Sequence, residues 1–122
     1  MQLRAPKKIY WTKHAREKMY YYQLSEARLM RVLRYPKRTE EGVAEKTLAA
    51  MQSAGTKKHP YEVWLMYQKK LKTQNSKVKN KEDDGQQIVI ISAWKYPGVT
   101  KSGDKVPIPA DILLELGMKT DE

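Results

Sequence analysis

One unbroken apolar run, Ile88-Val89-Ile90-Ile91, continued by Ser92-Ala93-Trp94 and stopped at Tyr96-Pro97-Gly98, stands out from a chain that is otherwise strongly polar. A run apolar on both faces predicts an inner strand covered on each side, and it is too short to cross a bilayer. Residues 61–68, rich in aromatic and β-branched side chains, predict a second strand. The two would pair as a long hairpin across residues 69–85, a lysine-rich connector read as flexible. Near the start, a short strand over residues 8–11 leads to Thr12, a good N-cap for a helix beginning at Lys13. In that helix Ala15, Met19 and Tyr22 recur as a buried stripe, and His14, Lys18 and Tyr21 repeat the spacing along its edge.

Ser25 caps a second predicted helix, with Leu24 and Leu29 placed as a hydrophobic staple, Leu29, Met30 and Leu33 on its core face, and Pro36 ending it. Residues 37–41 read as extended. Residues 45–52 favour a helix by composition and a strand by length, and strand is preferred. Residues 53–60 read as a loop and 97–107 as irregular. A short helix follows over residues 110–116, with Pro109 at its start and Gly117 after it. The expectation is a single α+β domain over residues 1–122, with its core in about residues 8–96: two N-terminal helices packed on a small antiparallel sheet of about four strands, with a short C-terminal helix.

Charge adds what periodicity does not show. The 122-residue chain has a net charge of +10. Residues 1–81 hold 20 Lys or Arg against 6 Asp or Glu, a surplus of +14, while the remainder holds 4 against 8, or −4. Such a surplus suits a polyanion, RNA more than DNA here, because each neutralised phosphate releases condensed counterions. The acidic end can also screen the basic face within the same molecule. With no cysteines and only two histidines, neither a disulfide framework nor a metal site is expected. No cofactor motif, signal peptide or membrane span is found, so the expected location is the cytoplasm.

The remaining residues suit metal-free cleavage of RNA, which needs a base for the 2′-hydroxyl, an acid for the leaving oxygen and fixed positive charge around the phosphate. His14 titrates near neutrality, Arg16 and Lys18 share its helix, and Lys95 follows the apolar strand. Trp94 and Tyr96 are candidates for stacking bases, and Arg28, Arg31 and Arg34 form a row for phosphates along the second helix. His59, before Pro60, reads as an exposed loop residue, and Trp64 and Tyr67 read as core.

The order of these elements carries a resemblance. A strand, a helix with Lys13-His14-Ala15-Arg16-Glu17-Lys18-Met19, a second helix from Leu24-Ser25-Glu26-Ala27 to Tyr35-Pro36, and a strand closing on Ile90-Ile91-Ser92-Ala93 together resemble the RelE/BrnT-like toxin superfamily. The likeness is greatest to families whose first helix opens His-Ala-x-x-(Arg/Lys)-Met. It covers roughly residues 8–96. It implies an antiparallel sheet carrying two N-terminal helices, and a ribonuclease of the toxin–antitoxin kind, with an acidic antitoxin as partner. His14 would be the helix-borne histidine, Arg16 and Lys18 the basic residues after it, and Ile91-Ser92-Ala93 the Ile-Ser-Ala strand. Where an arginine commonly follows the Ser-Ala pair, this chain has Trp94 and then Lys95, and lysine lacks the bidentate fork of arginine. Two other readings stand beside ribonuclease: a non-catalytic nucleic-acid-binding module, and an interaction protein for an acidic partner.

Overall fold

The computed structural model describes residues 8–42, 46–70 and 87–115. Its elements are β1 (Lys8–Trp11), α1 (Lys13–Tyr22), α2 (Glu26–Arg34), β2 (Arg38–Glu41), β3 (Leu48–Gly55), β4 (Pro60–Lys70), β5 (Gln87–Pro97) and α3 (Ala110–Glu115). The fold is α+β, but the sheet is mixed and five-stranded, ordered β1-β5-β4-β3-β2, rather than antiparallel and four-stranded. The expected strand over residues 8–11 is β1, and it makes the sheet mixed by pairing in parallel with β5, Lys8 opposite Gln87 through Trp11 opposite Ile90. No turn specifies that pairing, since the two strands lie at opposite ends of the sequence.

Both helix starts are set as their sequences dictate. The Thr12 side chain accepts from the Ala15 amide and that of Ser25 from the Arg28 amide. Of residues 45–52, 48–52 lie in a strand and 45 lies outside the described residues; alanines and Met51 fill both covered faces of the sheet where β3 runs between β2 and β4. The expected loop over 53–60 shrinks to 56–59. Ladder pairing continues to Gly55, whose φ of +84° and near-contact with the His59 carbonyl suit only glycine. Lys69 and Lys70 belong to β4, and residues 71–85 of the expected connector, with the next residue, lie outside the described residues.

Two cores lie on opposite faces of the sheet. On one, Ala15 and Met19 of α1, with Leu29 and Val32 of α2, meet Val63, Leu65, Ile88, Ile90 and Ala93. On the other, Trp64, Met66, Met51 and Trp94 are covered by Val106, Ile108 and Ile112. The run in β5 is therefore covered on both sides as its composition predicts, the second cover coming from the segment that follows it. No helix among the described residues is long and apolar enough to cross a membrane.

A β-bulge in β5 sets up the site. Tyr67 faces Ile90 but Met66 faces Ser92, leaving Ile91 without a partner. The extra residue shifts the alternation by one. Ile88 and Ile90 face the α1–α2 side, whereas Ser92 and Trp94 face the side of α3.

Candidate functional site

Beyond Ile90 no strand pairs with the outer edge of β5 among the described residues, and α1 lies against β5 there. The joint is fixed by Thr12, whose hydroxyl donates to the Ile90 carbonyl at 2.9 Å and whose amide donates to the same oxygen. Two residues later His14 reaches the bulge: its Nε2 lies 2.9 Å from Ser92 Oγ. The opening of the first helix and the Ile-Ser-Ala strand, 78 positions apart in sequence, are thus in direct contact.

The other nitrogen of His14 faces α3. His14 Nδ1 lies 3.6 Å from Glu115 Oε1, and the same oxygen lies 2.8 Å from Lys18 Nζ. Lys18 Nζ also donates to Asp111 Oδ2 at 2.8 Å, and the Tyr22 hydroxyl donates to Asp111 Oδ1 at 3.1 Å. His14 and Lys18 are one turn apart on α1, as Asp111 and Glu115 are on α3. Two helices thus meet through matched charged pairs, with the acidic end of the chain screening part of its basic start. Neither Asp111 nor Glu115 is reached by scanning for catalytic motifs, although their spacing mirrors that of His14 and Lys18.

The environment tunes each group. Burial lowers the pKa of His14 below the ordinary 6.5, Glu115 opposes that and the Lys18 charge reinforces it, so the ring is neutral at pH 7. For Lys18 burial pulls the pKa down, but the hydrogen bonds to Asp111 and Glu115 outweigh it and hold the ammonium above its usual value. Asp111 balances the same way: burial raises its pKa, and the bonds from Lys18 and Tyr22 bring it below the usual carboxylate value. Burial and the Asp111 charge push the Tyr22 phenol up to about 12, so it remains a donor. The unfolded chain binds a proton at His14 more readily than the folded one, so this residue subtracts stability as pH falls through 6.5.

Ser92, His14 and Glu115 follow the order of a nucleophile, a base and an orienting carboxylate. Ser92 is wholly buried, however, and its hydroxyl has no face to offer a substrate. Its role is to hold the imidazole. His14 Nδ1 and Lys18 Nζ both face Glu115, the lysine side chain being only 8% exposed, and an open groove of about 870 Å³ begins beside Lys18. It is lined by Lys18 and Glu115 at one end and by Tyr20, Tyr21, Leu24 and Ser25 further along. Tyr20 and Tyr21 are exposed aromatics that the buried-stripe pattern of α1 leaves on its outer side.

Other candidates lie elsewhere. Lys95 faces the α1–α2 side, with Nζ 5.3 Å from the Tyr61 ring, three residues along β5 from Ser92 and on the opposite face. Trp94, expected to stack bases, has no exposed surface: it stacks on Trp64 with centroids 6.2 Å apart, and its Nε1 donates to the Pro107 carbonyl. Tyr96 packs, half-buried, against that same core. Arg16 is exposed, spans to Glu26 at 3.2 Å and lies over the Trp11 ring. Arg28 is half-buried, its guanidinium held by Gln52 Oε1 at 2.7 Å, which docks α2 onto β3. Arg31 and Arg34 are exposed, and among the described residues nothing engages their guanidinium groups. No cluster of three or more His, Cys, Asp or Glu suited to a metal occurs among the described residues.

Compared with family models, with curated proteins and with solved structures, the chain matches none.

Proposed function

We propose that the protein is a toxin-type ribonuclease of the RelE/BrnT-like kind, in which His14 is the proton acceptor and Lys18 the phosphate ligand. The observation that carries this reading is the contact of His14 Nε2 with Ser92 Oγ, which joins the two motifs on which the family resemblance rests. In the tautomer whose Nε2–H donates to Ser92, Nδ1 carries the lone pair on the side of Glu115, and the lowered pKa favours the neutral ring. In the reaction the 2′-oxygen attacks the adjacent phosphorus and its proton passes to Nδ1. The bond from phosphorus to the 5′-oxygen breaks, that oxygen takes a proton from water, and a 2′,3′-cyclic phosphate remains. Lys18 offsets the charge that builds on the phosphate oxygens. Arg31 and Arg34 supply attraction along the strand without touching the reacting atoms.

Incubating total RNA with the protein in EDTA tests this directly. Wild type produces new ends bearing cyclic phosphate, and His14→Ala lowers the rate by about 100-fold or more, the scale of a lost general base. Equal cleavage by both proteins refutes the role of His14. Salt-sensitive retention of RNA without cleavage by either one favours a binding module, a reading that the exposed Arg31 and Arg34 support.

A further inference from the structure

We infer that the Glu115 carboxylate occupies the place taken by a phosphate group of bound RNA, so that RNA engages the site by displacing the chain's own C-terminal helix end. The inference rests on the roles proposed above for His14 and Lys18. One oxygen, Glu115 Oε1, lies 2.8 Å from the Lys18 ammonium and 3.6 Å from His14 Nδ1. An anionic oxygen set between an ammonium and an imidazole nitrogen is where a scissile phosphate must lie for the base to reach the neighbouring hydroxyl.

The two carboxylates of α3 differ in how firmly they are held. Asp111 bonds to both Lys18 and Tyr22, beside the wholly buried Ile112, and is fixed. Glu115 is the last residue of α3, its side chain is 47% exposed, and Lys18 and His14 are its only partners among the described residues. Rotation of its side chain takes its oxygen away from Lys18 Nζ and His14 Nδ1 while Ile112 stays in the core. The vacated place opens onto the groove that Lys18 and Glu115 themselves line, where Tyr20 and Tyr21 offer exposed rings to the flanking bases. Lys18, its side chain only 8% exposed, stays bonded to Asp111 when Glu115 leaves, and a phosphate oxygen drawn by the basic surface takes the vacated place.

Affinity for a labelled single-stranded oligouridylate, read by fluorescence anisotropy at fixed salt, tests the inference. Glu115→Gln binds about three- to fivefold tighter than wild type, the scale of removing one competing, partly exposed carboxylate. Glu41→Gln removes the same charge from an exposed position on β2 and gains less. In a Lys18→Ala background Glu115→Gln gains nothing. Equal gains at positions 41 and 115, a gain that survives Lys18→Ala, or weaker binding by Glu115→Gln overturns the inference. So does failure of every variant to bind the oligouridylate while an acidic helical peptide is captured, which makes the seat one for a protein. A tighter-binding Glu115→Gln beside a wild type that cuts nothing refutes the ribonuclease reading alone. His14-dependent cleavage with unchanged affinity in Glu115→Gln refutes this inference alone.

Discussion

Replacing Trp94 with alanine lowers the stability of the protein by about 3–5 kcal/mol in chemical denaturation, the range for deleting a buried tryptophan. Its ring has no exposed surface and lies at 9° to that of Trp64. Its Nε1–H donates at 2.9 Å to the Pro107 carbonyl, so the indole also fastens the segment that covers this face of the sheet. Residues 106–112 bring Ile112 onto the same core and carry Asp111 to Lys18. The loss therefore exceeds that of a cavity alone, because the cover loosens with it. Trp94→Phe keeps most of the packing and loses the hydrogen bond, and costs less than half as much. A loss under about 1 kcal/mol for Trp94→Ala contradicts the placement of this residue in the core.

Glu62→Ala has the second largest effect, about 3 kcal/mol or more, from the donors it leaves stranded. Glu62 is 1% exposed and accepts from Trp64 Nε1 at 2.9 Å, from the Thr100 amide at 2.6 Å and from the Thr100 hydroxyl. The same hydroxyl accepts from the buried Arg38, which also donates to the Asp104 carbonyl and lies over the Trp64 ring. One carboxylate thus ties residues 100–104 to β2 and β4. Glu62→Gln keeps an acceptor for part of this set and loses less, and thermal denaturation of the two variants side by side shows the difference. Equal and small losses would mean that the network contributes little.

Local elements were legible because their causes are local. The caps Thr12 and Ser25, the stripe of Ala15 and Met19, the staple of Leu24 on Leu29, and the β4–β5 pairing follow from residues close in sequence or from a clear apolar run. The strand over residues 8–11 was legible too, but not its parallel place beside β5, because no turn links it to a partner nearly eighty positions away. The bulge at Ile91 was hidden for a related reason: within an all-apolar run nothing marks where the alternation shifts. That shift sends Trp94 into the second core and puts Lys95 on the face of the sheet that carries α1 and α2. His14 and Lys18 were legible as a pair on one edge of α1. Their acidic partners were legible only as a surplus of negative charge in the last third of the sequence, with nothing to say that the surplus would fold back onto α1.

The site assigned to His14 is tested most directly by the ring proton signals of the two histidines as RNA is added. His14 stands between Ser92 and Glu115, and His59 is exposed in the turn between β3 and β4, so the second reports any non-specific effect. Addition of the oligouridylate at constant pH shifts the His14 ring signals in a saturable way and leaves those of His59 in place. A pH titration of the free protein gives His14 a midpoint below 6.5. Binding of RNA with the His14 signals unmoved would contradict the account, because a phosphate cannot reach Lys18 and Glu115 without altering the ring beside them.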